Sequence, residues 1–91
     1  MNFEEIIEKI DYEIKVCEQV INKTTQQYSL DAYTAAYEIR QEHAAMDDLN
    51  TLKQLILKWD EKEDIEKYLN QPAELYMFNS LLEVYNFVMR E

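Results

Sequence analysis

The 91-residue sequence contains no glycine. Phosphate-cradling loops, dinucleotide-binding GxGxxG turns and nucleophile elbows all need a residue that tolerates positive φ or lets a ligand approach the backbone. None of them can be written here. Cysteine and histidine occur once each, as Cys17 and His43. A single cysteine permits no internal disulfide, and one of each type leaves too few soft ligands for a structural zinc site. Positive charge is scarce as well: 9 Lys and Arg stand against 19 Asp and Glu, for a net charge of −10. Such a chain lacks the electrostatic footprint that holds DNA, RNA or an anionic bilayer directly. No apolar run approaches the roughly 18 residues of a membrane span, and the opening stretch MNFEEIIEKIDYEI carries acids where a signal peptide carries bases. A cytoplasmic protein forming one domain over residues 1–91 is the expectation.

What is present suffices for a folded chain, because hydrophobic residues make up 47% of the sequence and drive collapse despite the charge. Phe3, Ile7, Ile10, Ile14, Cys17, Ile21 and Tyr28 recur at alternating spacings of 4 and 3, then 7. That period predicts a long first helix over residues 3–28, widened on one flank by Ile6 and Val20. Ser29 reads as the N-cap of a second helix beginning at Leu30, with Asp31 in its first turn. The apolar face of that helix runs through Ala32, Ala36, Ile39, His43 and Met46, then changes phase to Leu49, Leu52, Ile56 and Trp59. Either one bent helix spans the shift or a break near Asp47–Thr51 lets Thr51 and Gln54 cap a third; the break is the preferred reading. Asp60 and Glu63 offer another capping box before Ile65.

Pro72 marks the expected start of the last helix. On it, Leu75, Phe78, Leu82, Tyr85 and Met89 form one stripe, and Met77, Leu81, Val84 and Val88 form a second beside it. An apolar arc this wide has to be covered by two neighbours or by another chain. The resulting expectation is an all-α fold, a small antiparallel bundle of three to four helices with a long N-terminal helix and a central C-terminal helix. A second copy of the chain, as a homodimer, is one way to cover the surplus apolar surface.

Catalytic constellations find little support. Cys17 and His43 are the only partners for a thiol dyad, but Cys17 falls on the apolar seam, where burial disfavours the thiolate, and no third residue is placed to orient the histidine. His43 reads instead as a partly buried, hydrogen-bonded side chain. A ferritin-like di-iron centre needs Glu three residues before a histidine, and Arg40 stands there. The string Glu4-Glu5-Ile6-Ile7-Glu8 resembles the EExxE half of the all-α, magnesium-dependent nucleotide pyrophosphohydrolases of the MazG type. That resemblance spans five residues, and the family's ExxD half is missing from the following helix; the nearest separate match, Glu61 to Asp64, comes more than fifty residues later. No enzymatic activity, metal or cofactor is expected.

The charge is more informative, because it is uneven. Residues 1–22 carry −4 and residues 29–50 another −4, so eight of the ten net charges fall on the first two helices. Tyr33 and Tyr37 lie one turn apart among these acids, and tyrosine supplies contact area and a hydrogen bond at little entropic cost. Glu4, Glu5, Glu8, Asp11, Tyr33, Tyr37, Glu38, Glu42, Asp47 and Asp48 are therefore the candidate partner-binding residues. They suggest a small acidic inhibitor that occupies a basic, nucleic-acid-binding surface of a partner protein. In size and acidity the chain resembles small phage-encoded antagonists, including anti-CRISPR proteins, a likeness of kind that rests on no motif. The alternatives are a helical adaptor, secretion chaperone or toxin-immunity protein that binds through an apolar groove, or a structural dimerisation module.

Overall fold

The computed structural model describes residues 3–26, 31–60, 62–74 and 78–90. Four helices follow in order: α1 (Phe3–Gln26), α2 (Ala32–Lys58), a single turn α3 (Ile65–Tyr68) and α4 (Leu81–Met89). The described residues are 80% helical and contain no strand, so the fold is a small all-α bundle with a long N-terminal helix. Two cross-links between the long helices show that they run antiparallel. Asp11 pairs with Lys53 at 2.7 Å, and the Thr24 hydroxyl donates to Glu38 at 3.4 Å. The molecule is elongated, 50 × 23 × 22 Å.

The α1 face that packs deepest is rotated from the expected seam. Ile6, Ile10, Cys17 and Thr24 are buried, with Glu13 and Val20 half-buried on the same row, whereas Ile7, Ile14 and Ile21 sit half-buried on its flank. The cause is that α1 touches both α2 and α4, so its buried arc is centred between two neighbours rather than on one. Glu13 is tolerated on this row because the Arg90 guanidinium meets it at 3.2 Å.

Two expectations for the second helix need correction. It does not break at residues 47–51; α2 is continuous through Lys58, because the stretch contains neither proline nor glycine and its apolar change of phase has another cause. The first half of α2 has no buried residue, while Leu49, Leu52 and Ile56 meet Leu69 and the α4 residues Leu81, Val84 and Val88 in a common core. A helix gaining a neighbour on a new side shifts its buried arc without bending. The helix starts from Asp31, not from within it. The Asp31 carboxylate accepts from the Thr34 N–H at 2.7 Å and from the Thr34 hydroxyl at 3.1 Å, contacts that hold its carboxyl below the usual carboxylate range. Ser29 and Leu30, the expected cap and first residue, and Tyr28 lie outside the described residues.

The start of the last helix is also later than expected. Pro72 makes an isolated antiparallel bridge with Ser80 rather than opening a helix. The Glu74 N–H donates to Asp48 at 2.7 Å, tying this segment down in a non-helical path. Ser80 is the N-cap of α4: its hydroxyl accepts from the Glu83 N–H at 3.4 Å, and the Glu83 carboxylate accepts from the Asn79 N–H at 2.7 Å. Leu75 and Met77 of the two expected stripes lie outside the described residues. Of the rest, Leu81, Val84 and Val88 are buried, and Leu82, Tyr85 and Met89 pack partly buried beside them. The wide apolar arc is thus covered within one chain, by α1 on one side and α2 on the other. Between the long helices and α4, Asp60 turns the chain by accepting from the Lys62 N–H at 3.0 Å, and Asp64 caps α3 through the Glu66 N–H at 3.0 Å. Trp59 closes α2; its indole N–H donates to the Glu63 carbonyl at 3.1 Å and its ring packs edge-on against Phe3 at 5.6 Å.

The core is one-sided. Every buried residue of α2 lies between Asp48 and Ile56, and none lies in residues 32–47. Beyond Cys17 and Asp48 the α1–α2 pair therefore projects as a two-helix arm.

Candidate functional site

The expected binding residues divide between the two ends of the hairpin. Glu4, Glu5, Glu8 and Asp11 are exposed on the first half of α1, alongside the C-terminal half of α2 that supplies Lys53. There the acids are partly neutralised, Glu5 by Lys9 at 3.7 Å and Asp11 by Lys53 at 2.7 Å. Tyr33, Tyr37 and Glu38 lie on the projecting arm, where Glu38 meets Thr24 of α1. At 1.5 Å per residue, the level of Glu4 is about 30 Å from the level of Thr24 and Glu38. A Debye length of about 8 Å in physiological salt separates two such groups electrically, so they form two surfaces rather than one.

On the arm, Tyr33 is 85% exposed and Tyr37 54%. Neither ring contributes to the core. Tyr12 is also exposed, but on the other half of the molecule, beside Glu8 and Lys9. Asp47 is exposed and Glu42 is half-buried. Asp48 does not belong with this set: it is 3% exposed, and its carboxylate is occupied by the Glu74 N–H, so it serves to anchor the 70–74 segment and cannot meet a partner. His43 is corrected in the other direction, since it is exposed rather than partly buried.

Cys17 and Glu42 instead face a partly enclosed cavity of about 230 Å³ at the root of the arm. Val16 and Val20 of α1, Ala45 and Leu49 of α2, and Phe78 and Phe87 make its walls. The two phenylalanines pack against each other at 5.5 Å, and the Arg90 guanidinium lies 3.6 Å from the Phe87 ring centre. Three carboxylates reach the cavity: Glu13, paired with Arg90, the tethered Asp48, and Glu42, to which the Cys17 thiol donates. This site is not evident in the sequence, because Val16 and Phe87 fall on none of the apolar stripes read there and Glu13 has no role among the expected residues. The one signal available was the Val16–Val20 pair, an i,i+4 apolar row beside the main seam.

Burial first, then the hydrogen bond to Glu42 and the charges of Glu42 and Glu13, push the Cys17 thiol up from 9.0 to about 12. The native thiolate fraction at pH 8 is then lower than that of an unfolded thiol by about a thousandfold. Modification by a thiol reagent is expected to be correspondingly slow in buffer and fast in denaturant; rapid native labelling would contradict the placement. The same shift sets a sign for stability. The folded state holds its thiol proton more tightly than the unfolded state, so stability is complete below pH 9 and declines towards pH 12, by at most about 1.4 kcal/mol per pH unit. Denaturant melts of wild type and Cys17→Ala across pH 8–11 isolate this component.

Among the described residues, no three His, Cys, Asp or Glu side chains are grouped to hold a metal ion. No helix there is long and apolar enough to cross a membrane. Compared with known protein families, curated proteins and solved structures, the chain has no significant match. Its function has to be argued from its own surface.

Proposed function

We propose that the protein is a binding module that engages a basic protein surface through the projecting arm and so excludes a nucleic acid from it. The observation that carries this reading is the pair Tyr33 and Tyr37, 85% and 54% exposed one turn apart, on an arm that offers no cover for them. Aromatic rings held on a helix are the residues that most often anchor interfaces, and acids around them select a cationic partner and speed its approach. Glu38 and Glu42 follow Tyr37 on the same helix, and the net charge of −10 supplies the long-range field. A chain this acidic carries a self-repulsion that a polyanion-mimicking role explains.

The test begins with affinity capture from the native host and continues with the captured protein purified. Association with wild type is expected to slow at least tenfold between low and physiological salt, and to slow similarly when Glu38 and Glu42 are both changed to lysine. Tyr33→Ala with Tyr37→Ala is expected to speed dissociation instead, and wild type is expected to displace nucleic acid from the partner. Tyr33 and Tyr37 are exposed, so their truncation should shift thermal stability little; Glu42 is half-buried against Cys17, so the lysine variant is checked for a wild-type circular dichroism spectrum before its association is measured. A complex indifferent to salt and to the charge reversals would sink the inhibitor reading and favour an adaptor that uses an apolar groove. Leu81 and Val88 cannot report on such a groove, because they are core residues at 2% and 4% exposure.

A further inference from the structure

We propose that the cavity at the root of the arm binds a small organic ammonium ion: one cationic head on an aryl or short alkyl body. This assignment concerns a concave site rather than the exposed tyrosines and shares only Glu42 with the arm surface, so Tyr33→Ala with Tyr37→Ala should leave it unchanged. Size sets the first limit. At about 230 Å³ the cavity is smaller than the ~300–1,000 Å³ sites that take drug-sized or nucleotide ligands. It exceeds the ~150 Å³ that accommodates benzene in an engineered apolar cavity, which leaves room for one ring and a two-carbon arm. Lining chemistry sets the second. Val16, Val20, Ala45, Leu49, Phe78 and Phe87 present carbon to the interior, so an occupant gains by burying an apolar body.

Charge sets the third. No lysine or arginine is among the residues lining the cavity, whereas three carboxylates are. Glu13 is already matched by Arg90 and Asp48 by the Glu74 N–H. Glu42 receives only the weak donor of the Cys17 thiol, and among the described residues no cation stands within ion-pair distance of it. A half-buried carboxylate beside an apolar hollow favours an ammonium group over a neutral or anionic one. The molecule also shows how a cation is received nearby: the Arg90 guanidinium lies between the Glu13 carboxylate and the Phe87 ring, combining an ion pair with a cation–π contact. An ammonium on Glu42 with its body against Phe78 would repeat that arrangement inside the cavity.

The probe is phenethylammonium, titrated into the full chain while the methyl resonances of Val16, Val20 and Val84 are followed by carbon–proton NMR, with 2-phenylethanol as the neutral match. Saturable shifts at these methyls, and ring-to-methyl Overhauser contacts, are the expected result. Affinity should fall at least tenfold for the alcohol and at least tenfold for the ammonium ion with Glu42→Gln, which changes charge without volume. Ala45→Phe, which fills the hollow, should abolish the shifts. If that variant fails to fold, the alcohol and Glu42→Gln comparisons still decide. Absence of saturation, equal binding of the alcohol, unchanged binding with Glu42→Gln, or shifts confined to methyls outside the cavity would each overturn the proposal. No partner protein is present in these titrations, so failure here leaves the arm's role standing, and failure of the arm's role leaves this one.

Discussion

Leu52→Ala is expected to lower the stability of the protein by about 3–5 kcal/mol. Leu52 is 0% exposed and sits where α1, α2 and α4 converge, in contact with a cluster that includes Ile6, Ile10, Ile56 and Leu69. Truncation removes the transfer energy of three carbons and leaves a void that three packed elements cannot collapse to fill. A chain of this length has a total stability of only about 5–14 kcal/mol. The melting temperature should therefore drop by roughly 15–25 °C, read by the helical signal in circular dichroism. The matched control is Leu57→Ala, one position after the buried Ile56 but itself 58% exposed, which should cost no more than about 0.5 kcal/mol. Equal effects of the two substitutions would show that the core has been placed on the wrong face of α2.

Asn50→Pro is the second substitution with a large expected effect, and it separates two readings of the same segment. If a new helix began from a Thr51 cap, proline at position 50 would lie outside it and be tolerated. In the continuous α2, Asn50 is an exposed interior residue; proline there removes a backbone hydrogen bond and clashes with the carbonyl of Met46. The expected loss is about 3 kcal/mol or more, with Asn50→Ala close to neutral or slightly stabilising. Denaturant titration of the pair gives the answer, and a mild proline variant would restore the broken helix.

These positions also show what the sequence makes legible. The alternation of Ile6, Ile10 and Cys17 with polar residues announces a helix and its inward side to within part of a turn, because a helix buried against anything must keep apolar residues on one stripe. Residues 47–51 mislead, since a change of apolar phase looks the same whether the helix breaks or merely acquires a second neighbour, and the neighbour in question, α4, comes thirty residues later in the chain. Pro72 misleads for a related reason. Its tolerance for a first helical turn is real, but the carboxylate of Asp48 captures the Glu74 N–H and holds the segment in a non-helical path, and no local signal discloses a partner 26 residues away. Ser80 and Glu83 spell a capping box, but the apolar stripe that continues through Phe78 from upstream masks it in the sequence. Asp48 reads as a surface acid because composition counts charges without saying which of them the fold consumes. The cavity is not legible in the sequence because α1, α2, α4 and Phe78 assemble it from distant parts of the chain, none of them carrying more than four of its eleven lining residues.

The restriction of buried α2 residues to Asp48–Ile56 has a consequence for how the molecule breathes. Opening residues 32–47 away from α1 exposes the buried Thr24 and otherwise only half-buried side chains of the arm, while Leu49, Leu52 and Ile56 stay packed, so the arm can fray as a unit without global unfolding. Backbone amides there should exchange with solvent through such partial openings, well ahead of those around Leu52. The molecule is thus graded along its length, from a slow-exchanging end built on three helices to a fast-exchanging end built on two. Any ligand gripping the arm has to quench that motion, and its grip will register as slowed amide exchange before it registers as a change in shape.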